Sequence, residues 1–289
     1  MRSIRAGAAV LALTVAGGAA SPARAAFVAE YFNDAGTSGA NLNTLGWTNP
    51  ISNTSYVAGT QVNYSAPGYS SAGNQSDAND GAATGSNTTN LVYKTIAGMT
   101  GTVWVSAAVS QTTNGDVLLW LDKTNTTASG TDRDFVALRG TTLTSPSAPG
   151  TPEAVIAYNG ATDDGSDNTD LVLSTPHLIL LKIDMNFSAA LDRITFWVDP
   201  DLSGGEAGLG TTVGSANGPK YLKDTADAYG TSFDGYGLSF SATSNVLDAL
   251  RVSNDADGFV WVTTGVPEPT TAALLGVAGV GLCARRRRR

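Results

Sequence analysis

The feature that most constrains this chain is a series of short segments in which apolar and polar residues alternate. Alternation with a period of two places successive side chains on opposite faces of a strand, whereas a helix repeats every 3.6 residues. β-branched and aromatic residues are frequent in these segments, and Gly, Ser, Asn and Asp are frequent between them. Eleven strands are predicted, at 27–32, 90–96, 102–109, 116–122, 135–139, 153–158, 177–185, 192–198, 235–241, 246–253 and 258–263.

Strands this short and this closely spaced are typical of an all-β sandwich or barrel. The dipeptide Asn114-Gly115 predicts a hairpin turn between two of them, because both residues tolerate a positive φ. The most apolar run, 177–185, predicts a central strand. Three polar stretches predict long loops, at 64–90, 141–151 and 201–220.

The N-terminal residues have the composition of a secretory signal peptide. Arg2 and Arg5 precede an apolar stretch, 6–20, and Ala23 and Ala25 form a small-x-small cleavage pattern. The prediction is a helical signal peptide at 1–25 and a mature chain that begins at Ala26.

The C-terminus has three parts in a fixed order. Pro267, Glu268 and Pro269 interrupt regular structure because proline fixes φ and lacks an N–H. The uncharged apolar segment 270–284 follows, and it is shorter than the ~20 residues of an ordinary spanning helix. We expect a short transmembrane helix with the domain outside and the final arginines on the cytoplasmic side. That arginine cluster is Arg285, Arg286, Arg287, Arg288 and Arg289.

These three parts resemble the PEP-CTERM sorting signal of Gram-negative bacteria. The resemblance implies that an exosortase recognises the tail, 266–289, and cleaves it near Pro267–Pro269. It also implies transient insertion in the inner membrane and export to the cell surface or an extracellular polysaccharide matrix. The alternative interpretation of the tail is a solvated basic helix.

Charge is distributed unevenly between the signals and the body. Removing eight of the 17 basic residues and one of the 25 acidic residues with the two signals leaves nine and 24, a net charge of about −15. An acidic body argues against nucleic acid as a partner. The single cysteine, Cys283, lies in the apolar tail, so the body has no disulfide.

The order of the strand segments resembles the concanavalin A-like lectin/glucanase jelly roll, close to laminin-G-like domains. The segments that carry the resemblance are 29–32, 102–106, 180–184, 192–200 and 247–252. The resemblance implies a jelly-roll β-sandwich of two antiparallel sheets that spans 26–265.

Enzymatic function is not predicted. Hydrolases of the resembled fold carry a Glu-x-Asp-x-x-Glu strand, which this sequence lacks, and Glu30, Glu153 and Glu206 are isolated. His177 is the single histidine and is interpreted as a structural residue at a strand start. A carboxylate pair, Asp132 and Asp134, is interpreted as a solvated strand entry.

Calcium is the one cofactor that the sequence suggests, since hard cations bind carboxylate oxygens in loops. The candidate ligands are Asp163, Asp164, Asp167 and Asp170. The alternative interpretation is an acidic, water-facing turn.

Aromatic residues in loop-like sequence are candidates for stacking on sugar rings. These candidates are Trp47, Tyr56, Tyr64 and Tyr69, while Trp104, Trp120, Trp197 and Trp261 lie in predicted strands and are assigned to the core or to cross-strand pairs. The leading hypothesis is an exported, non-catalytic surface or matrix protein. The alternative is a lectin-like module that binds matrix polysaccharide, with or without Ca²⁺, and a glycosidase is the third hypothesis.

Overall fold

The structure is a computed structural model that describes residues 26–30, 32, 41–42, 46–48, 55–58, 62–69, 82–85, 92–111, 117–121, 135–139, 153–158, 161–163, 174–188, 191–226, 232–240 and 244–265. Its strands are β1 (Phe27–Glu30), β2 (Ser55–Ala58), β3 (Ala82–Gly85), β4 (Val92–Met99), β5 (Thr102–Ser110), β6 (Val117–Leu121), β7 (Phe135–Arg139), β8 (Glu153–Tyr158), β9 (Ala161–Asp163), β10 (Pro176–Ser188), β11 (Leu191–Val198), β12 (Tyr221–Ala226), β13 (Phe233–Phe240) and β14 (Val246–Ser253). One α-helix, α1 (Gly258–Thr264), follows the last strand.

The strands form two antiparallel sheets. The eight-stranded sheet has the order β12-β11-β10-β5-β14-β3-β2, and β1 pairs with β14 beside that path. The six-stranded sheet has the order β4-β13-β6-β7-β8-β9. The predicted all-β sandwich of two antiparallel sheets is confirmed.

The two sheets share one hydrophobic core. Alternate residues of β10, namely Ile179, Leu181 and Ile183, point into it, as the period of two requires. Leu119 of β6 and Phe240 of β13 enter the same core from the six-stranded sheet. The opposite face of the eight-stranded sheet is therefore the outer face, and the intervening residues of each strand point toward it.

A polar cluster also joins the two sheets. Glu30 of β1 accepts hydrogen bonds from Lys94 Nζ at 2.5 Å and from the Tyr236 hydroxyl at 2.8 Å. Burial, followed by the charge and hydrogen bond of Glu30, raises the pKa of Tyr236 far above its usual range. The tyrosine is thus a permanent donor to a carboxylate of the other sheet.

The structure corrects one predicted strand. Residues 258–263 lie in α1 and not in a strand. Phe259, Val262 and Thr263 are buried, and their spacing of three and four residues is that of one helical face. Packing of this face on β5 and β14 outweighs the β-propensity of the Val and Trp residues between them.

Four strands were not predicted, because each is short or lies in polar sequence: β2, β3, β9 and β12. β3 lies within 64–90, which the sequence predicts as a loop, and its four residues are buried. The Asn114-Gly115 turn, the signal peptide and the apolar tail lie outside the described residues. Among the described helices, none has the length and apolar character to cross a membrane.

Candidate functional site

The outer face of the eight-stranded sheet carries a second, smaller hydrophobic core. Trp104 of β5, Leu180 of β10 and Trp197 of β11 project from the sheet into this layer. Phe259 and Val262 of α1 and Leu202 and Leu209 of the 199–220 loop cover part of it. One end of the outer face stays uncovered, and a groove lies there.

We define the outer groove by two adjoining recesses. The first, of about 320 Å³, includes Trp104, Lys182, Phe187, Arg193, Trp197 and Glu206 in its lining. The second, of about 420 Å³, extends past Trp104, Lys182 and Glu206 to residues 100–102 and 254–256. Because three residues line both recesses, the recesses are contiguous.

Strand register places the groove side chains in rows. Lys182 of β10 lies directly opposite Trp104 of β5 on one side and Thr195 of β11 on the other. In the next row, Asp184 lies between Thr102 and Arg193. Directly opposed side chains on one face lie close enough to interact, so each row forms a continuous strip.

Tryptophans form the floor of the groove. The rings of Trp104 and Trp197 stack with centroids 6.0 Å apart and planes at 22°. Phe259 meets Trp104 edge-on at 5.2 Å, which ties α1 to the floor. Lys182 Nζ lies 5.2 Å from the Trp104 ring centroid, within the range of a cation–π contact. Contacts from β10, β11 and α1 thus converge on Trp104 in the floor.

Ion pairs form the walls. Lys182 Nζ donates to Glu206 Oε1 at 3.0 Å, which joins the sheet to the 199–220 loop. Arg193 donates to Asp224 twice, from Nε at 2.6 Å and from an Nη at 2.9 Å. This fork lowers the pKa of Asp224 and raises that of Arg193, with the hydrogen bond as the main cause in both.

An exposed aromatic residue forms the rim. Phe187 is 48 % exposed and is one of two exposed large hydrophobic side chains in the described part of the chain. The Arg193 guanidinium lies 3.7 Å from its ring centroid. Stacking by a guanidinium that is already held by Asp224 orients the ring at the mouth of the groove.

The 199–220 loop that borders the groove is fixed by polar contacts at its base. Asp199 accepts a hydrogen bond from the Leu178 N–H at 2.7 Å, and its other oxygen lies 2.5 Å from His177 Nδ1. Tyr64 also bonds to Asp199, and burial followed by the Asp199 charge raises the pKa of that tyrosine. His177 thus has the structural role that the sequence predicts.

Inside the loop, the Asn217 side chain joins two backbone segments. It accepts from the Asp201 N–H at 2.6 Å and donates to the carbonyls of Asp201 and Gly208 at 2.8 and 2.7 Å. Gly210 and Gly218 pass so closely that a Cβ on Gly210 would lie 2.8 Å from the Cα of Gly218. Only glycine permits this close approach of the two backbone segments. Hydrogen bonds and close backbone contacts therefore define the path of the loop that the sequence predicts at 201–220.

The structure separates the predicted sugar-stacking residues. Trp47 is 3 % exposed and packs between Phe32 and Tyr236, so it belongs to the inter-sheet core. Tyr69 is 8 % exposed and lies in the outer hydrophobic layer, with Tyr64 against its edge. Tyr56 lies in β2. Trp47 and Tyr69 are therefore buried, and a sugar-stacking role of the four residues stays a prediction.

The remaining predicted residues are only partly described. Asp163 ends β9, and Asp164, Asp167 and Asp170 lie outside the described residues, so the calcium site stays a prediction. Among the residues that the structure describes, no three His, Cys, Asp or Glu side chains are grouped to hold a metal. Asp132, Asp134, the cleavage residues Ala23 and Ala25, and the tail from Val266 also lie outside the described ranges.

Sequence reasoning missed the groove. Trp104 and Trp197 were assigned to the core, and both are largely buried, but their rings also line an open recess. The signal that was available is the alternation Leu180-Leu181-Lys182-Ile183-Asp184, which places charged residues on the face opposite the core. No local sequence pattern indicates that the 199–220 loop packs against that face.

Comparison with known proteins identifies one motif. The PEP-CTERM protein-sorting motif matches residues 265–288. A search of curated proteins finds no significant match to the chain.

Solved structures with partial likeness include lectins. They include lectin II from Ulex europaeus (8 % identity, 62 % of this chain, 87 % of that chain, TM-score 0.36). The metal-free carbohydrate recognition domain of Emp46p covers 78 % of this chain and 93 % of its own, at 10 % identity and a TM-score of 0.34. An uncharacterised protein from Mycobacterium paratuberculosis covers 78 % and 99 %, at 12 % identity and a TM-score of 0.39. Because these TM-scores are below 0.5, no ligand of these proteins is inferred for this chain. The chain therefore carries a PEP-CTERM sorting motif directly behind an all-β sandwich of two antiparallel sheets.

Proposed function

We propose that this protein is an exported surface or extracellular-matrix protein with a non-catalytic β-sandwich, which an exosortase processes at the C-terminal tail. The sorting motif at 265–288 carries the proposal, because it indicates export to the cell envelope of a Gram-negative bacterium. Glu268 and its flanking prolines are the substrate of the processing enzyme. Residues 270–284 and the final arginines hold the chain in the inner membrane until cleavage.

The junction between domain and motif supports this arrangement. The motif begins at Gly265, which caps α1 in a left-handed conformation with φ of 73°. The Arg251 side chain donates to the carbonyls of Val262 and Thr263 and so fastens the last turn of α1 to β14. The sandwich therefore extends up to the first residue of the sorting motif with no linker between them.

The export proposal is tested by replacing Pro267, Glu268 and Pro269 with alanine in cells that contain an exosortase. We expect the full-length chain to accumulate in the inner-membrane fraction and the surface fraction to lose it. Replacement of Thr270 and Thr271 by alanine, just after Pro269, is the matched control and is expected to leave processing intact. Unchanged surface delivery of the triple variant would contradict the proposal.

The second candidate function, a lectin-like module, is favoured by the outer groove. An aromatic floor, an exposed aromatic rim and fixed polar pairs are the usual composition of a sugar site. A glycan array with the purified protein, run with and without EDTA, tests binding and calcium dependence together. Binding that EDTA abolishes would support the predicted site at Asp163, Asp164, Asp167 and Asp170.

The non-catalytic assignment is supported by the partners of the carboxylates in the groove and beside it. Glu206 accepts from Lys182, Asp224 accepts from Arg193, and Asp184 accepts from the Thr102 hydroxyl at 2.7 Å. The hydrogen bonds from Arg193 lower the pKa of Asp224, and a carboxyl with a lowered pKa is a poor general acid. Turnover of an extracellular polysaccharide by the purified protein would contradict this assignment.

A further inference from the structure

We infer that the outer groove binds an extended, uncharged polysaccharide chain, with neighbouring sugar units in its two recesses. The inference rests on the glycan-binding function proposed above and adds the charge class and the minimum length of the ligand. Export through the sorting motif does not depend on polysaccharide binding. A failure of the groove to bind would therefore leave the export proposal intact.

The geometry of the groove indicates a chain and not a single sugar. The first recess lies between the β10–β11 hairpin and the 199–220 loop, and the second lies between the start of β5 and the turn before α1. Trp104 and the Lys182–Glu206 ion pair line both recesses, so they mark the boundary between two adjoining sites. Both recesses open to the same outer face, and a ligand that fills both must pass over this boundary.

The side chains match the chemistry of a pyranose ring. Such a ring has apolar faces that stack on aromatic side chains and a rim of hydroxyls that both donate and accept. Phe187 supplies an exposed ring, and the largely buried Trp104 and Trp197 contribute only small areas of aromatic surface to the lining. The Lys182–Glu206 and Arg193–Asp224 pairs each place donors beside acceptors. Since these pairs are formed before a ligand arrives, binding requires little further ordering of side chains.

The charges of the groove favour an uncharged ligand over an anionic one. Both cations are already engaged, Lys182 by Glu206 and Arg193 by Asp224. Asp184 and Asp255 add two further carboxylates to the lining. A uronate would bring its carboxylate against these acids, and the body as a whole carries about −15.

Calorimetric titration of the full chain in mild detergent tests the inference. The neutral probes are cello-, laminari-, malto- and xylo-oligosaccharides from dimer to hexamer, and polygalacturonate oligomers of the same lengths are the anionic probes. We expect at least one neutral series to bind, with a dissociation constant that falls about tenfold or more from dimer to hexamer. The acidic oligomers are expected to bind at least about tenfold more weakly than the best neutral series at equal length.

Two variants assign the binding to the groove. Phe187→Ala removes the exposed ring, and Glu206→Gln removes the charge that holds Lys182; each is expected to weaken the hexamer about threefold to tenfold. The controls are Val213→Ala, an exposed apolar residue outside both recesses, and Asp201→Asn, an acid of the same loop that lines neither recess. Both controls are expected to bind as the unaltered protein does.

Four results would overturn the inference. Tighter binding of polygalacturonate than of every neutral series would contradict the charge class. Equal affinity for dimer and hexamer would contradict a ligand that spans two recesses. No binding of any neutral series, or binding that Phe187→Ala and Glu206→Gln leave unchanged, would remove the groove as the site, while delivery to the surface would be unaffected.

Discussion

At the scale of single residues, the Glu30 cluster tests how the two sheets are held together. Glu30→Ala removes the acceptor of Tyr236, whose hydroxyl is then left without that partner in the core between the sheets. An unsatisfied buried donor costs about 1–3 kcal/mol, so we expect a loss of that size in urea unfolding. In a Tyr236→Phe background the same change is expected to cost less, because the donor is already gone. Equal costs in both backgrounds would show that the hydrogen bond contributes nothing.

The Arg193–Asp224 fork gives a pH dependence with a defined sign. The pKa of Asp224 is lowered in the fold, so its contribution is complete above the unfolded value of about 3.9 and is lost as pH falls through the lower folded value. Both side chains are partly exposed, which limits the contribution to below about 1 kcal/mol. We expect Asp224→Asn to lower the thermal midpoint at neutral pH and the difference from the unaltered protein to vanish in acid.

The control for this pH dependence is the same substitution in an Arg193→Met background. The fork is absent there, so Asp224→Asn is expected to produce no difference that changes with pH. A persistent pH-dependent difference would assign the effect to another group.

Residue identity alone indicates burial poorly in this chain. Trp47 lies in polar, loop-like sequence and yet is as buried in the inter-sheet core as the strand residue Trp104 is in the outer layer. Burial of an aromatic side chain depends on which distant segment covers it, and no local pattern specifies that partner. His177 is the opposite case, since its position at a strand start predicts its structural role.

At the scale of elements, Arg251 controls the attachment of α1. Its side chain is fully buried and donates to the carbonyls of Val262 and Thr263 at the end of that helix. Arg251→Met removes these charged hydrogen bonds, and we expect a loss of about 2–4 kcal/mol in urea unfolding. Amide exchange of Trp261 and Gly265 is expected to accelerate more than exchange in the core strands.

A substitution in the same helix provides the comparison for Arg251. Thr264→Val removes one hydroxyl bond to the Val260 carbonyl and makes no change in the sheet. We expect it to cost less than about 1 kcal/mol and to leave the exchange of Gly265 nearly unchanged. Equal exchange rates at Gly265 in the two variants would contradict the role of Arg251.

Element type was predictable where apolar and β-branched residues fill a strand. β5, β10, β11 and β14 were predicted to within a few residues, and the short strands β7 and β8 were predicted at their observed bounds. β3 and β12 were missed because small or polar residues fill them and neighbouring strands determine their conformation. α1 was assigned the wrong type because β-branched residues follow its first buried position, and tertiary packing prevailed over propensity.

At the scale of the whole molecule, two antiparallel sheets were predictable and the groove was not. The sandwich follows from many short strands, each of which must bury one face. The groove joins residues near positions 102, 182, 193, 206 and 255, which lie on three strands, a loop and a turn. Strand order and loop path bring these segments together, and a sequence pattern within one segment contains neither.

In the proposed function, the C-terminal tail holds the acidic sandwich at the membrane until the tail is cleaved. The sorting motif begins at the cap of α1, so cleavage near Pro267–Pro269 would release the complete sandwich. Loss of the terminal arginines would also leave the surface form strongly acidic. The charge and the tail are then consistent with the proposed export to the cell surface.

The intact mass of the protein recovered from the cell surface tests this account most directly. We expect a chain that starts at Ala26 and ends near Pro267–Pro269, so that residues 270–289 are absent from the measured mass. The same measurement in cells without an exosortase is expected to find the tail retained and the chain in the membrane fraction. A surface protein that still carries Arg285–Arg289 would contradict the account.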